Sequence, residues 1–244
     1  MSNVKNLQSL EKLLGTCTGL GGSYNPGNQN LQVKAMATLL SQARNTLSEV
    51  DIAKTGYEVA TNQREEAFKN LAALSGRIIS AMIATGAKPE TVADARTMSR
   101  KIYGRVKSKD RAPVPSEIES IPVDDQSVTK RRARGMDYAS LAAHFAKLLE
   151  TVSAEERYKT NEQELTVESL KKHLTTLQKH NSSVISATVA WQEARRKRDE
   201  ILYSLDRNLF TVGQRAKQYL KSAFGHRSEV YQTVSKIRFT NPKK

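Results

Sequence analysis

The side chains best suited to catalysis or metal binding are scattered along the sequence. The four histidines are His144, His173, His180 and His226, and only His173 and His180 lie near one another, seven positions apart. Metal chelation along one helix face favours a spacing of three or four, and no HExxH or ExxH pattern occurs. We therefore expect no metal site.

Two acidic pairs recur in similar surroundings, as Arg64-Glu65-Glu66 and Arg198-Asp199-Glu200. Adjacent residues on a helix diverge by about 100°, so neither pair forms a catalytic dyad by itself. Ion pairs with the neighbouring arginines are the expected role. Cys17 is the only cysteine, which excludes an intramolecular disulfide. We expect no catalytic residues, no cofactor and no enzymatic activity. The alternative to this expectation is an enzyme of unrecognised type.

The glycine-rich stretch from Gly15 to Gly22 is the one segment that resembles a phosphate-binding loop. A phosphate loop of the GxxxxGK[ST] type needs a lysine at its end and a strand before it, and both are missing here. We expect a short amphipathic helix over residues 4–14, ended by Gly15, and a connecting loop over 15–30. Asn28 or Asn30 is expected to cap the next helix.

The basic residues are unevenly distributed in a chain of net charge +14. Residues 191–244 hold 13 Lys and Arg against 5 Asp and Glu, and residues 101–135 hold 9 against 5. Such surfaces attract nucleic acid or other anionic partners, although solvated helix faces rich in Lys and Arg would have the same composition. The candidate contacts are Lys130, Arg131, Arg132, Arg134, Arg196, Lys197, Lys217, Lys221 and Arg227.

Trp191, the only tryptophan, lies just before the run Arg195–Arg198. It occupies an apolar helical stripe, which predicts packing in the helix seam. The adjacent arginines favour the alternative of a stacking platform for bases.

An apolar stripe with alternating spacings of three and four recurs in the sequence 134 positions later, with its interruptions at the same places. This indicates an internal duplication. It predicts an all-α fold: an elongated helical bundle of two units with coiled-coil packing, each a short helix, a long helix of about 50 residues and a short helix. The first stripe is Met36, Leu40, Ala43, Leu47, Val50, Tyr57, Phe68, Leu71, Ile78 and Met82; the second is Leu170, Leu174, Leu177, Asn181, Val184, Trp191, Leu202, Leu205, Val212 and Ala216.

The expected organisation is a first helical unit over 1–103, a Pro-rich basic linker over 104–137, a second unit over 138–239 and a frayed tail over 240–244. The long helices are expected over 31–84 and 165–223, ended by Gly86 and Gly225. We favour continuous helices; the alternative is that they fold back near 54–64 and 188–198, where the stripe lapses.

The C-terminal stretch 223–239 resembles the end of uncharacterised bacterial proteins built from helical repeats. Phe224-Gly225, Tyr231 and Ile237-Arg238-Phe239 carry the resemblance. It implies an all-α fold and a bacterial source, and it implies no activity.

These patterns favour a non-enzymatic helical interaction or scaffold protein with a protein partner. The alternative is a sequence-nonspecific nucleic-acid-binding protein that uses the basic C-terminal surface. No apolar window reaches the roughly 20 residues of a membrane span, and the single cysteine fits a reducing compartment. We expect a cytoplasmic protein, and homo-oligomerisation is compatible with the sequence.

Overall fold

The structure, a computed structural model, describes residues 2–104, 137–204 and 206–241. The all-α class is confirmed, and no strand occurs within these ranges. The helices are α1 (Ser2–Gly19), α2 (Val33–Phe68), α3 (Leu71–Ala84), α4 (Pro89–Tyr103), α5 (Tyr138–Ala154), α6 (Val167–Asp199), α7 (Leu209–Phe224) and α8 (Glu229–Ser235).

The chain forms two compact units, and each unit is built from parts of both sequence copies. Unit 1 comprises residues 1–57 and 187–244, and unit 2 comprises residues 58–186. Each unit therefore combines the first half of one copy with the second half of the other. The division into 1–103 and 138–239 follows the repeat, whereas the compact units do not. Most of the expected linker, with Lys130, Arg131, Arg132 and Arg134, lies outside the described residues.

The long helices are continuous where the apolar stripe lapses. Helix α2 runs through 54–64 and α6 runs through 188–198, so neither helix folds back there. Each long segment is interrupted a little later. In the first copy a turn at Lys69 and Asn70 separates α2 from α3, and in the second copy Glu200–Ser204 forms a π-helical turn before α7. The two interrupted segments are 52 and 58 residues long.

Helix α1 is longer than its glycine content predicts. It continues through Gly15 to Gly19, although glycine costs up to about 1 kcal/mol in a helix interior. The reason is burial beyond the glycine, since Cys17 is fully buried. The loop that follows is shorter than expected, and Asn28 caps the 3-10 turn Gln29–Leu31 by accepting from the Asn30 amide at 3.0 Å.

The two copies reproduce the same entry into their long helices. The Tyr24 hydroxyl donates to the Leu31 carbonyl at 2.8 Å, and the Tyr158 hydroxyl donates to the Leu165 carbonyl at 2.8 Å. These carbonyls belong to the last residues of the 3-10 turns Gln29–Leu31 and Gln163–Leu165. All these positions differ by 134, so the duplication extends to hydrogen bonding.

The constant offset ends at the π-helical turn. Asn70 precedes α3 and Asn208 precedes α7, which are 138 positions apart rather than 134. Four extra residues are close to one turn of 3.6, so the apolar stripe stays on nearly the same face. The counterparts of Ile78 and Met82 are therefore Ala216 and Leu220 instead of Val212 and Ala216.

Each unit has its own core. In unit 1, α1 and the first part of α2 contribute Leu7, Leu10, Leu13, Cys17, Met36, Leu39, Leu40 and Ala43, and the second copy contributes Leu202, Leu209, Val212, Ala216, Leu220 and Val234. In unit 2, the second half of the first copy contributes Phe68, Leu71, Ile78, Met82, Val92 and Ile102, and the second copy contributes Leu141, Phe145, Leu148, Leu149, Val152, Leu165, Leu170 and Leu177.

The predicted helix ends are confirmed at Gly86 and Gly225. Gly86 has φ +72° directly after α3, and Gly225 has φ +84° directly after α7. Such backbone angles favour glycine because a Cβ is strained there. Ser228 caps α8, its hydroxyl accepting from the Tyr231 amide at 3.1 Å.

Candidate anion-binding surface of unit 1

An aromatic pair from equivalent positions of the two copies lies in unit 1. Tyr57 and Trp191, 134 positions apart, stack with ring centroids 5.4 Å apart and planes inclined by 24°. The guanidinium carbon of Arg195 lies 5.5 Å from the tryptophan ring centroid. Trp191 therefore packs in the helix seam against Tyr57, which occupies one face of its ring.

The basic run that follows Trp191 is partly neutralised by its own helix. Arg196 donates to Glu200 at 2.7 Å, and Arg198 makes two hydrogen bonds to one carboxylate oxygen of Asp199 at 2.7 and 2.8 Å. The Arg198 side chain is only 16% exposed, which strengthens this pair relative to a surface pair. The expected pairing of the acidic residues with neighbouring arginines is thus found in the second copy.

Arg64, the equivalent of Arg198 in the first copy, has a different contact. The Arg64 guanidinium lies 4.2 Å from the ring centroid of Tyr138 in unit 2, a cation–π contact. The predicted ion pair of Arg64 with its neighbours is not among its contacts, and Glu66 instead approaches Lys69 at 3.8 Å.

A shallow notch of about 490 Å³ opens beside the basic run. The π-helical turn forms one end of it, because a wider turn moves Glu200 and Ser204 away from the regular helix path. Arginine and carboxylate groups alternate around the notch, so its charges largely satisfy one another. Its lining residues are Gln192, Arg195, Arg196, Asp199, Glu200 and Ser204.

Lys217, one of the predicted partner contacts, serves the fold. Its ammonium donates to the carbonyls of Ser235 at 3.1 Å and Ile237 at 2.8 Å, at the end of α8. Burial lowers the pKa of Lys217. While both carbonyls are bound, the Lys217 ammonium is not free to bind an anionic partner.

The other predicted contacts of unit 1 are open to solvent. Arg196 and Lys197 on α6, Lys221 on α7 and Arg227 after it are all exposed. With Arg195, which is also exposed, these residues are called the basic surface of unit 1, defined here as Arg195, Arg196, Lys197, Lys221 and Arg227. The first three follow Trp191, which contacts Tyr57, and the last two follow Tyr219, which contacts Tyr24, so they form two separate groups.

The histidines occupy unrelated environments. His173 meets the ring of Phe145 edge-on at 5.7 Å in unit 2, and burial lowers the pKa of its imidazole. His144 also has a lowered pKa, from burial and from the nearby Lys101 and Lys147 ammonium groups. Among the residues that the structure describes, no group of three His, Cys, Asp or Glu could hold a metal ion.

Sequence reasoning missed a polar contact beneath the C-terminal segment. Asn6 is completely buried in unit 1, and its amide group exchanges two hydrogen bonds with the backbone of Thr240. Thr240 is thus held in place, where fraying was expected from this residue onward. The available signal was a polar residue within the apolar side of α1, between Val4 and Leu7.

No described helix is both long enough and apolar enough to pass through a membrane. Comparison with known proteins identifies no relative: no family model matches the chain, no curated protein matches it, and no solved structure matches it. The resemblance to bacterial helical-repeat proteins therefore stays a prediction.

Proposed function

We propose that this chain is a non-enzymatic helical interaction protein that binds an acidic protein partner through the basic surface of unit 1. The observation that carries the proposal is a difference in charge between the two units. The described residues of unit 1 hold 16 Lys and Arg against 8 Asp and Glu, a net charge of +8. Those of unit 2 hold 13 against 12, a net charge of +1.

The fold itself does not need this excess charge. The described part of unit 2 builds an equivalent helical core, with the same tyrosine contact and the same 3-10 turn, at a net charge of +1. Self-repulsion among unpaired cations destabilises a compact unit. The basic residues of unit 1 are therefore retained at some cost to stability, which supports a role in binding.

A protein partner fits this surface better than a polyanion alone. Acidic side chains are interspersed with the basic ones, and two of the arginines in the run are already paired with carboxylates. Large apolar side chains are also exposed in unit 1: Ile52 is 70% exposed and Val189 is 50% exposed. Mixed charge with exposed apolar groups is typical of protein interfaces.

Nucleic acid is the second candidate, favoured by the consecutive exposed cations Arg195, Arg196 and Lys197. They lie within about one helical turn, and phosphate groups would neutralise them without sequence readout. Binding of this kind would fall steeply with salt, with a logarithmic slope of about −0.9 per phosphate contact.

The test compares an acidic polypeptide, poly-L-glutamate, with labelled single- and double-stranded DNA and RNA at two salt concentrations. We expect saturable binding of poly-L-glutamate, weakened at least tenfold when the five residues of the basic surface are changed to Gln. Equally tight binding to every nucleic acid with a steep salt slope would support the second candidate instead.

A matched control removes the same number of charges from unit 2. The control changes five exposed basic residues there to Gln: Arg100, Lys147, Lys159, Lys171 and Lys179. The proposal requires that this variant keeps most of the binding. Equal losses in both variants would mean that only the total charge matters, and no binding in the wild type would refute the proposal.

A further inference from the structure

The last described segment of the chain has no regular secondary structure and is held in unit 1 by hydrogen bonds. We call residues 236–241 the strap. It follows α8 and makes no helix of its own. The Ser9 hydroxyl donates to the Arg238 carbonyl at 2.7 Å, and Lys217 donates to the Ile237 carbonyl at 2.8 Å.

Asn6 recognises the strap through its main chain. Its side-chain NH₂ donates to the Thr240 carbonyl at 2.7 Å, and its side-chain oxygen accepts from the Thr240 amide at 2.8 Å. Tyr203 supports this geometry, since its hydroxyl accepts from the Asn6 amide at 3.1 Å and donates to Asn3 at 2.6 Å. These contacts read backbone atoms only, so they would hold any extended residue at this position.

One side chain of the strap is selected by shape. The ring of Phe239 lies over Gly213 in α7, so closely that a Cβ at Gly213 would come within 2.5 Å of the ring. Gly213 is buried and has an ordinary helical backbone, so glycine is needed here for the aromatic ring and not for the turn of the chain. The groove lined by Asn6, Ser9, Gly213 and Lys217 therefore accepts an aromatic side chain one residue before the clamped one.

Unit 2 shows that the fold has another way to cover this position. The equivalent of Gly213 in unit 2 is Ser75. Ser75 lies five residues after Asn70, which precedes α3, and Gly213 lies five residues after Asn208, which precedes α7. The Ser75 and Ser99 hydroxyls are 3.0 Å apart and buried, and they join α3 to the 15-residue helix α4. In unit 1 the corresponding helix α8 has only seven residues, and the strap takes over.

We propose that this groove is a peptide-binding site for an extended segment of a partner protein with an aliphatic-x-aromatic pattern. The strap, with Ile237-Arg238-Phe239, is its intramolecular ligand and competes with the partner. The site is defined by four hydrogen bonds between the side chains of Asn6, Ser9 and Lys217 and the strap backbone, and by one aromatic pocket at Gly213, which is the combination used for extended peptides. The site shares no residue with the basic surface, and its contacts with the strap backbone do not depend on the charge of the partner.

The test uses the full chain and a fluorescein-labelled peptide with the sequence of residues 236–241. In Phe239→Ala the strap loses its aromatic anchor, so we expect saturable binding of the peptide by fluorescence anisotropy. The wild type should bind at least tenfold more weakly, because its own strap occupies the groove and lowers the competent fraction. A peptide with Ala in place of the phenylalanine should not bind.

A second substitution locates the peptide. Adding Gly213→Ala to Phe239→Ala closes the pocket and should abolish binding. Adding Gly15→Ala, a helical glycine of the same unit with open space around it, should leave binding unchanged. Circular dichroism verifies that each variant is folded.

Hydrogen exchange on the wild type gives a result even if Phe239→Ala does not fold. Excess peptide should accelerate exchange of the Thr240 amide, because this amide is hydrogen-bonded to Asn6 only while the strap occupies the groove. No acceleration and no saturable binding would overturn the proposal. A concentration-dependent dimer that is lost in Phe239→Ala would also overturn it, because the natural occupant would then be the strap of a second copy.

Discussion

Unit 1 and unit 2 contain equivalent halves of the two copies, yet they cover their first helices differently. In unit 2, α5 packs mainly against the long third helix α4. In unit 1, α1 packs mainly against α7, and the short helix α8 with the strap completes the cover. The same type of helical core can therefore be covered either by a 15-residue helix or by a short helix followed by a non-helical segment.

The electrostatic difference follows the same division. The described part of unit 2 is nearly neutral, and that of unit 1 has a net charge of +8. Features shared by both units, such as the tyrosine contacts, are explained by folding. Features found in only one unit among the described residues, namely the basic surface and the strap, are where function is best sought.

The largest effect is expected from equivalent leucines in the two cores. Leu13 in α1 and Leu148 in α5 are both fully buried. Leu→Ala at either position should lower the free energy of unfolding by about 2–5 kcal/mol, because the lost transfer energy is joined by the cost of a cavity. Urea unfolding followed by circular dichroism measures both.

Val4→Ala on the same helix as Leu13 is the control, because Val4 is 53% exposed and its change should be small. If Leu13→Ala is tolerated as well as Val4→Ala while Leu148→Ala is not, the two cores are not equivalent in energy.

A smaller difference is expected at the two buried tyrosines. Tyr24→Phe and Tyr158→Phe each remove a hydroxyl donor and leave a carbonyl unpaired, which costs about 1 kcal/mol or more. Burial raises the pKa of both phenols, and the neighbouring Cys17 thiol raises that of Tyr24 further. Tyr24→Phe should therefore be the costlier change in urea unfolding.

The control converts unit 1 toward unit 2. Val152 occupies the place of Cys17 on α5, so in a Cys17→Val background the cost of Tyr24→Phe should fall to that of Tyr158→Phe. An unchanged difference would assign it to something other than the thiol.

Periodicity in the sequence was sufficient for the helical class and the duplication, and glycine placement was sufficient for the helix ends at Gly86 and Gly225. It could not locate the register shift, because four inserted residues nearly complete one helical turn and keep the apolar stripe aligned. The helix α1 predicted from glycine content was too short, because burial of Cys17 outweighs the helix-propensity cost of glycine, which is about 1 kcal/mol. Local preference was a poor guide wherever distant packing determined the outcome.

The candidate sites were less accessible to sequence reasoning. Charge density identified the basic surface, but it could not separate Lys217, which binds two carbonyls, from the exposed Lys221. The strap was missed because its contacts with α1, Asn6 with Thr240 and Ser9 with Arg238, join residues more than 200 positions apart. Exchange of halves between the copies is likewise a long-range property that no local pattern encodes.

The smallest effect is expected from pH, and it should affect unit 2 selectively. Unit 2 has His173 where unit 1 has the buried Leu39, 134 positions earlier. Burial holds the folded pKa of His173 below its unfolded value of about 6.5, so the neutral imidazole is favoured in the fold. As the pH falls through 6.5 the unfolded chain takes up the proton first, and stability is lost toward acid.

The unfolding free energy measured in urea at pH 8 and pH 5.5 should therefore fall less in His173→Leu than in the wild type. His180→Leu, on the same helix, is the control and should keep the wild-type dependence. If His173→Leu loses as much stability as the wild type, the acid sensitivity arises elsewhere, with His144 as the next residue to test.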